Sequence, residues 1–245
     1  MKTVAIIPAA GLGTRMGKAS AESSGTSRKQ FMLLEGAPIL IHTVRKFVAA
    51  AAVSEIYVAV RAEDMDPFRA QLQQEGYATP VHLVEGGRSR HSSVGNCLTQ
   101  VPADTELVCV HDAVRPFVTV SQIDAICEEA SESGAVILAI PAVDTIKQVD
   151  RTVIRSTLMR ERIVLAQTPQ VFKFSLLKNA FEQAERDGFL ATDEASLVEH
   201  VGEDVHVLLG SDRNIKITKP GDMALARLFY QEEAARGASS DENLR

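Results

Sequence analysis

The stretch Val4-Ala5-Ile6-Ile7-Pro8-Ala9-Ala10-Gly11-Leu12-Gly13-Thr14-Arg15-Met16-Gly17 decides the fold. Its first half is a short apolar, β-branched run, the pattern of a strand covered on both faces in a parallel sheet. Its second half is a glycine turn, where backbone N–H groups can approach a phosphate closely. Familiar glycine motifs do not fit. A dinucleotide loop needs G-x-G-x-x-G opening a helix; here the third glycine comes one place late, and Arg15 and then a serine-rich stretch intervene. A P-loop would end in Gly-Lys-Ser/Thr, which is missing. A glycine loop alone is a weak signal. Arg15 within it and Lys29 beyond it, in Arg28-Lys29-Gln30-Phe31, add two cations suited to a triphosphate. Lys29 taken singly reads as a solvated surface lysine.

Outward from this stretch, strand-like runs recur at Glu55–Val60, Val81–Val84, Leu107–Val110 and Ala135–Ile140. Between and after them lie helical patterns at Ile39–Ala50, Asp64–Gln74, Ser89–Thr99, Ser121–Glu132 and Phe174–Arg186. Ser121 reads as an N-cap, and Gly134 closes its helix before the next strand. The repeated βα unit implies a three-layer α/β fold around a mostly parallel sheet. From Val143 to Arg162 the rhythm breaks into polar–apolar alternation around Asp150-Arg151. That is a hairpin signal, and its polar faces suggest an arm. A two-stranded ribbon is marginal alone, so the arm is expected to pack on a second subunit. Residues 1–236 read as one domain carrying the arm at about 143–162, with a disordered tail at 237–245 and a second disordered stretch at Ala19–Arg28.

Composition narrows the class. The chain has 245 residues, 45% of them hydrophobic, enough for one substantial core without disulfides or metals. A net charge of −6 argues against bulk attraction to nucleic acid or an acidic membrane, so an anionic ligand must meet locally placed cations. Cys97, Cys109 and Cys127 are sparse and unpaired in sequence, reading as reduced cytosolic thiols and neither a disulfide framework nor a zinc site. The first apolar run is too short and too soon broken by Pro8 for a signal peptide, and no run of about 18 apolar residues spans a membrane. These features point to a cytoplasmic protein.

Further motifs give the chemistry a family context. Ala-Ala-Gly-x-Gly-x-Arg-Met and Lys29-Gln30 resemble the opening of nucleotidyltransferases that move a nucleoside monophosphate onto a phosphate. Gly86-Gly87 with Arg90 and Ser93-Val94, His111-Asp112-Ala113-Val114-Arg115-Pro116 and Asp144-Thr145-Ile146-Lys147 follow in order. Ala166-Gln167-Thr168-Pro169-Gln170, Thr192-Asp193-Glu194-Ala195-Ser196 and Asn214-Ile215-Lys216-Ile217-Thr218 complete the set. Over about residues 3–230 the chain resembles the 2-C-methyl-D-erythritol 4-phosphate cytidylyltransferase family of the non-mevalonate isoprenoid pathway. The spacer between Arg15 and Lys29 is longer than that family usually has, suggesting a flap over the triphosphate.

The resemblance implies a Rossmann-like nucleotidyltransferase sheet, CTP and a polyol phosphate as substrates, Mg²⁺ or another divalent cation, and a homodimer joined through the β-arm. It implies catalytic roles for Arg15, Lys29 and Lys216. The nucleotide would lie on Ala9, Ala10, Gly11, Gly13, Gly87 and Ser93. The acceptor would meet Asp112, Arg115, Thr168 and Thr192, with Thr145 and Arg160 reaching across from the neighbouring subunit's arm. Asp112 would also serve the metal, since Mg²⁺ favours one or two carboxylates with substrate phosphates. Each residue has a plainer reading beside this one. Asp112 can pair with Arg115, Thr192 can cap the helix after it, Thr168 can shape the turn before Pro169, and the arm can serve dimerisation alone. No Ser-His-Asp or Cys-His set is apparent, and the six histidines read as structural or exposed, with His111 on the opposite face of its strand from Asp112. Rival readings are a ribitol 5-phosphate cytidylyltransferase, a sugar-1-phosphate nucleotidyltransferase, a non-catalytic nucleotide-binding protein on the same fold, and an NAD-dependent oxidoreductase.

Overall fold

In the computed structural model, residues 1–11 and 28–242 are described. The chain runs through β1 (Thr3–Pro8), a small hairpin β2 (Leu33–Leu34) and β3 (Ala37–Pro38), α1 (Ile39–Val48), β4 (Val53–Val60), α2 (Ala62–Glu75) and β5 (Val81–Glu85). It continues through α3 (Arg90–Leu98), β6 (Leu107–Val110), α4 (Val120–Ser133) and β7 (Ala135–Pro141). The arm strands β8 (Lys147–Asp150) and β9 (Val153–Thr157) follow, then β10 (Val164–Lys173), α5 (Phe174–Asp187), α6 (Glu194–His200), β11 (His206–Leu209) and α7 (Pro220–Glu242).

Seven strands form one sheet in the order β11-β7-β10-β6-β1-β4-β5. The β1–β4, β4–β5, β1–β6 and β7–β11 pairs are parallel, and β10 runs antiparallel to both its neighbours. The alternating side chains of β1 explain why it lies at the centre. Ala5 and Ile7 face a core shared with α1, α2 and α4, whereas Val4 and Ile6 face one shared with α3, α5 and α6. All four are fully buried, as the uninterrupted apolar run requires. A third, smaller core joins α7 to the β2–β3 hairpin through Leu34, Ile39, Phe117 and Ile217. The three-layer, mostly parallel expectation is met.

Local details depart from expectation in four places. The N-cap of α4 is Thr119, not Ser121, because Gln122 lies at the third helical position and closes a capping box with Thr119. Likewise the cap of α6 is Asp193, whose side chain accepts from Ser196 N–H, so Thr192 does not fill that position. Helix α7 continues to Glu242, past the point at residue 237 where a disordered tail was expected. Alanines, glutamates and arginines precede Gly237, and one glycine weakens a helix by only about 1 kcal/mol. Residues 243–245 lie outside the described residues, as does most of the Ala19–Arg28 stretch. Finally, the short β2 and β3, the edge strand β11 and, inside the sheet, β10 have no counterpart among the expected strands. Gln167, Thr168, Pro169 and Gln170 interrupt the apolar pattern of β10, and the Thr168–Pro169 bond is cis.

Those interrupting residues organise the structure. The Gln170 carboxamide accepts from the backbone N–H groups of Glu194 and Ala195, both at 3.1 Å, and donates to Asp193 at 2.8 Å. It thereby attaches the first turn of α6 to the sheet and satisfies donors that a helix start leaves unpaired. Gln170→Ala is expected to destabilise the chain by about 1–3 kcal/mol in denaturant unfolding, because two buried backbone donors and the half-buried Asp193 lose their bonds together. A variant as stable as the parent would mean that this attachment is dispensable.

Candidate active site

The carboxyl ends of β1, β4, β5 and β6 converge on a cavity of about 810 Å³. Ligands occupy this edge in open α/β sheets, and the volume suits a small-molecule site. Its floor is tied to the sheet by backbone bonds: Ala9 N–H to Ala59 O, and Gly86 N–H to Val60 O, both at 2.7 Å. Its walls include Ala9, Ala10, Gly11, Lys29, Gly86, Gly87, Arg88, Arg90, Ser93, Asp112 and Lys216. Gly86 must be glycine, since a Cβ there would lie 2.3 Å from the Cβ of Ala10. The two glycine turns therefore touch.

Gln30 holds the first turn. Its buried carboxamide donates to Ala9 O at 2.6 Å and to Gly11 O at 3.0 Å. Ser93 holds the second, accepting from Gly87 N–H at 3.1 Å and donating to Ser89 O at 2.8 Å. With both carbonyls of the first turn drawn toward Gln30, small residues are left to line the cavity.

Asp112 is the electrostatic centre. It follows β6, is buried, and meets Lys216 Nζ at 2.8 Å, Arg90 Nε at 3.0 Å and Arg115 Nε at 3.4 Å. Burial alone would push its carboxyl up, but the surrounding cations outweigh burial and hold it well below the usual carboxylate range. The Thr168 hydroxyl accepts from the Asp112 N–H at 3.0 Å, and Asn214 donates to Thr168 O at 2.9 Å. Arg115 also donates to Asn214 O at 2.6 Å. Pairing of Asp112 with Arg115 is thus real, and it is the longest of three.

Arg90 leads on to a second carboxylate. Its Nη1 lies 2.7 Å from Glu194 Oε1, and Glu194 is fully buried. Burial raises the Glu194 carboxyl above its ordinary value, and the Arg90 charge opposes that only in part. Ser89 and Arg90 wall both the large cavity and a smaller one of about 210 Å³ that contains Thr192, Asp193 and Glu194.

Ala9, Ala10, Gly11, Lys29, Gly87, Ser93, Asp112 and Lys216 are together in one cavity, with Arg115 behind Asp112. Thr168 lies behind Asp112 with its hydroxyl engaged, and Thr192 is exposed at the smaller cavity. Thr145 and Arg160 are away from both, exposed on the arm, where Arg160 donates to Val143 O at 2.8 Å. Gly13 and Arg15 lie outside the described residues. Missing from a sequence reading are the roles of Gln30, Arg90 and Glu194. All three lie inside quoted motifs, and the available signal was polarity at positions with no catalytic or capping need.

A divalent metal can be tested against these donors. Among the described residues no three His, Cys, Asp or Glu side chains cluster to form a metal cage. Asp112 is a hard oxygen donor in the nucleotide-sized cavity, and Mg²⁺ commonly takes only one or two carboxylates when phosphates supply other ligands. The residues therefore fit a metal carried in on a triphosphate.

His111 is fully buried against Phe47, and its Nε2 lies 3.0 Å from Arg115 O. A carbonyl partner makes Nε2 the protonated nitrogen, and Nδ1 has no hydrogen-bond partner. Burial pushes its pKa down from 6.5 to about 4. The unfolded chain therefore takes up this proton first as pH falls, so the stability gained by burying it neutral is complete above about pH 6.5 and shrinks toward pH 4. Denaturant unfolding should show a loss of up to about 3 kcal/mol across that window, flattened by one proton in His111→Gln. An equal slope in both proteins would assign the titration elsewhere.

Comparison with known proteins agrees with this geometry. The family model for 2-C-methyl-D-erythritol 4-phosphate cytidylyltransferase matches residues 3–232. An enzyme of that name from Solibacter usitatus is 57% identical over 98% of this chain and 100% of its own. Another, from Acidobacterium capsulatum, is 48% identical over 96% of this chain and its whole length. Among solved structures, 4-diphosphocytidyl-2C-methyl-D-erythritol synthase from Anaerococcus prevotii superposes with a TM-score of 0.80 at 29% identity, covering 94% of this chain and 98% of its own. The Thermus thermophilus cytidylyltransferase gives a TM-score of 0.74 at 30% identity, covering 94% and 100%. The chain belongs to the 2-C-methyl-D-erythritol 4-phosphate cytidylyltransferase family and is an enzyme of that kind.

Proposed function

We propose that the chain transfers CMP from CTP to 2-C-methyl-D-erythritol 4-phosphate, giving 4-diphosphocytidyl-2-C-methyl-D-erythritol and pyrophosphate. The carrying observation is the convergence of Lys216, Arg90 and Arg115 on one buried aspartate beside two touching glycine turns. Such a site offers close backbone approach to a nucleotide and an excess of positive charge for its phosphates.

The acceptor phosphate oxygen attacks the α-phosphorus of CTP in line, a new P–O bond forms, and the bond to the β-phosphate breaks. No enzyme nucleophile is needed. The two anions repel as they meet, and negative charge grows on the departing pyrophosphate, so positioning and charge stabilisation carry the reaction. Lys29 and Lys216 face the cavity, and Arg15 is assigned to the same task from its motif. Asp112, fixed by its cations, keeps Lys216 at the reacting phosphates. Mg²⁺ bound through Asp112 and the triphosphate would neutralise leaving-group charge. Ala9, Ala10, Gly11, Gly13, Gly87 and Ser93 would seat the nucleotide, the cytosine edge being read by backbone groups in a wall without large side chains.

The acceptor is assigned to Asp112 with Arg115 and Thr168 beside it, and to Thr192 at the smaller cavity. Thr145 and Arg160 would serve a neighbouring subunit's site. The arm supports this assignment because it exposes apolar surface that monomers rarely leave uncovered: Val143 is 76% exposed, Met159 64% and Ile154 59%. A homodimer through the arm would bury these residues. No helix among the described residues is long and apolar enough to cross a membrane.

Purified protein with Mg²⁺ and CTP should release pyrophosphate with 2-C-methyl-D-erythritol 4-phosphate and not with ribitol 5-phosphate. Release with ribitol 5-phosphate alone would keep the mechanism and change the acceptor; silence with both would refute the transferase reading.

A further inference from the structure

Resting on the transferase reading above, we propose that Glu194 is a positioning residue that acts through Arg90, pinning its guanidinium as a fixed partition between the two cavities. Helix stability explains neither residue. Arg90 is the first residue of α3, the positive end of a helix dipole, where a cation is disfavoured. That helix is already capped by Ser89, which accepts from Ser92 N–H in a capping box. Glu194 is the first residue of α6, where a negative charge would be favoured, but the N-terminal donors are taken by other groups. Asp193 accepts from Ser196 N–H, and Gln170 accepts from the N–H groups of Glu194 and Ala195. The Glu194 carboxylate is left with one partner, Arg90, and its Oε2 has none. A fully buried carboxylate with a bare oxygen is costly and calls for a reason beyond packing.

The geometry supplies that reason. Arg90 divides its fork, Nε to Asp112 at 3.0 Å and Nη1 to Glu194 at 2.7 Å. With both ends held, the planar guanidinium cannot rotate to offer two donors to Asp112. Asp112 Oδ2 stays with Lys216 and Arg115, and Lys216 keeps its place in the cavity wall. Were Glu194 uncharged, Arg90 would relax toward Asp112 or an incoming phosphate, and Lys216 would lose its anchor. The two cavities would then communicate through a mobile arginine instead of a fixed one. Glu194 touches no reacting atom in this scheme.

The test is pyrophosphate release with 2-C-methyl-D-erythritol 4-phosphate and CTP in parent, Glu194→Gln, Glu194→Asp, Arg90→Lys and the Arg90→Lys/Glu194→Gln double variant. Glu194→Gln should lower kcat by about tenfold or more, the scale of one charge-assisted hydrogen bond, with KM for CTP changed less than about threefold. Glu194→Asp keeps the charge but withdraws it from Arg90, and should lose kcat similarly. Should Glu194→Gln not fold, Glu194→Asp decides the matter. In the Arg90→Lys background, where a point charge cannot span both carboxylates, Glu194→Gln should cost little more. Parent-like kcat in the folded Glu194 variants would overturn the proposal, as would losses that multiply in the double variant. A parent protein that releases no pyrophosphate would refute the transferase reading itself, a result separate from either.

Discussion

A buried carboxylate cannot remain ionised without nearby positive charge, and Asp112 imposes that condition on everything around it. Three cations from three segments answer it: Arg90 from the start of α3, Arg115 from the loop after β6, and Lys216 from the loop before α7. Each segment is thereby drawn to one point at the carboxyl edge of the sheet. Breaking such a cluster by removing one member leaves an uncompensated buried charge, so these contacts depend on one another. The excess of positive over negative charge also makes the site receptive to phosphates. Architecture and chemistry share one electrostatic solution.

Neutral polar side chains complete the scaffold. Gln30, Gln170, Gln167 and Asn214 are buried; Gln30 and Gln167 spend their carboxamides on loop backbone, Gln170 on the first turn of α6, and Asn214 on the Gln167–Thr168 interruption of β10. Backbone in loops must find partners somewhere, and here the partners are amides reaching from neighbouring elements. The glycine turns gain a defined shape in this way, and the nucleotide-sized cavity arises between them. Apolar packing on both faces of β1 sets the frame; the amides set the details.

Much of this was legible in the sequence because it rests on short-range patterns. The β-branched run at Val4–Pro8, the glycine turn after it and the alternation around Asp150-Arg151 each signal a local geometry. The obscured parts depend on partners remote in sequence. Gln167, Thr168 and Gln170 make β10 look unlike a strand, yet their polar groups are satisfied by residues 23 to 56 positions away. Ser121 and Thr119 are both plausible caps, and only the reciprocal bond with Gln122 separates them. Arg90 and Glu194 were visible as motif members but not as partners, since they are 104 positions apart. Thr145 and Arg160, distant from the cavities of their own chain, acquire a role only if two chains meet.

The central claim is that the charge of Asp112, and not merely its shape, organises the site. Asp112→Asn preserves shape and removes the charge, and pyrophosphate release from the folded variant tests the claim directly. Turnover should fall at least about 100-fold, in line with the loss of an electrostatic group at a phosphoryl-transfer centre. Turnover within a few-fold of the parent would mean that Arg90, Arg115 and Lys216 are positioned by something else.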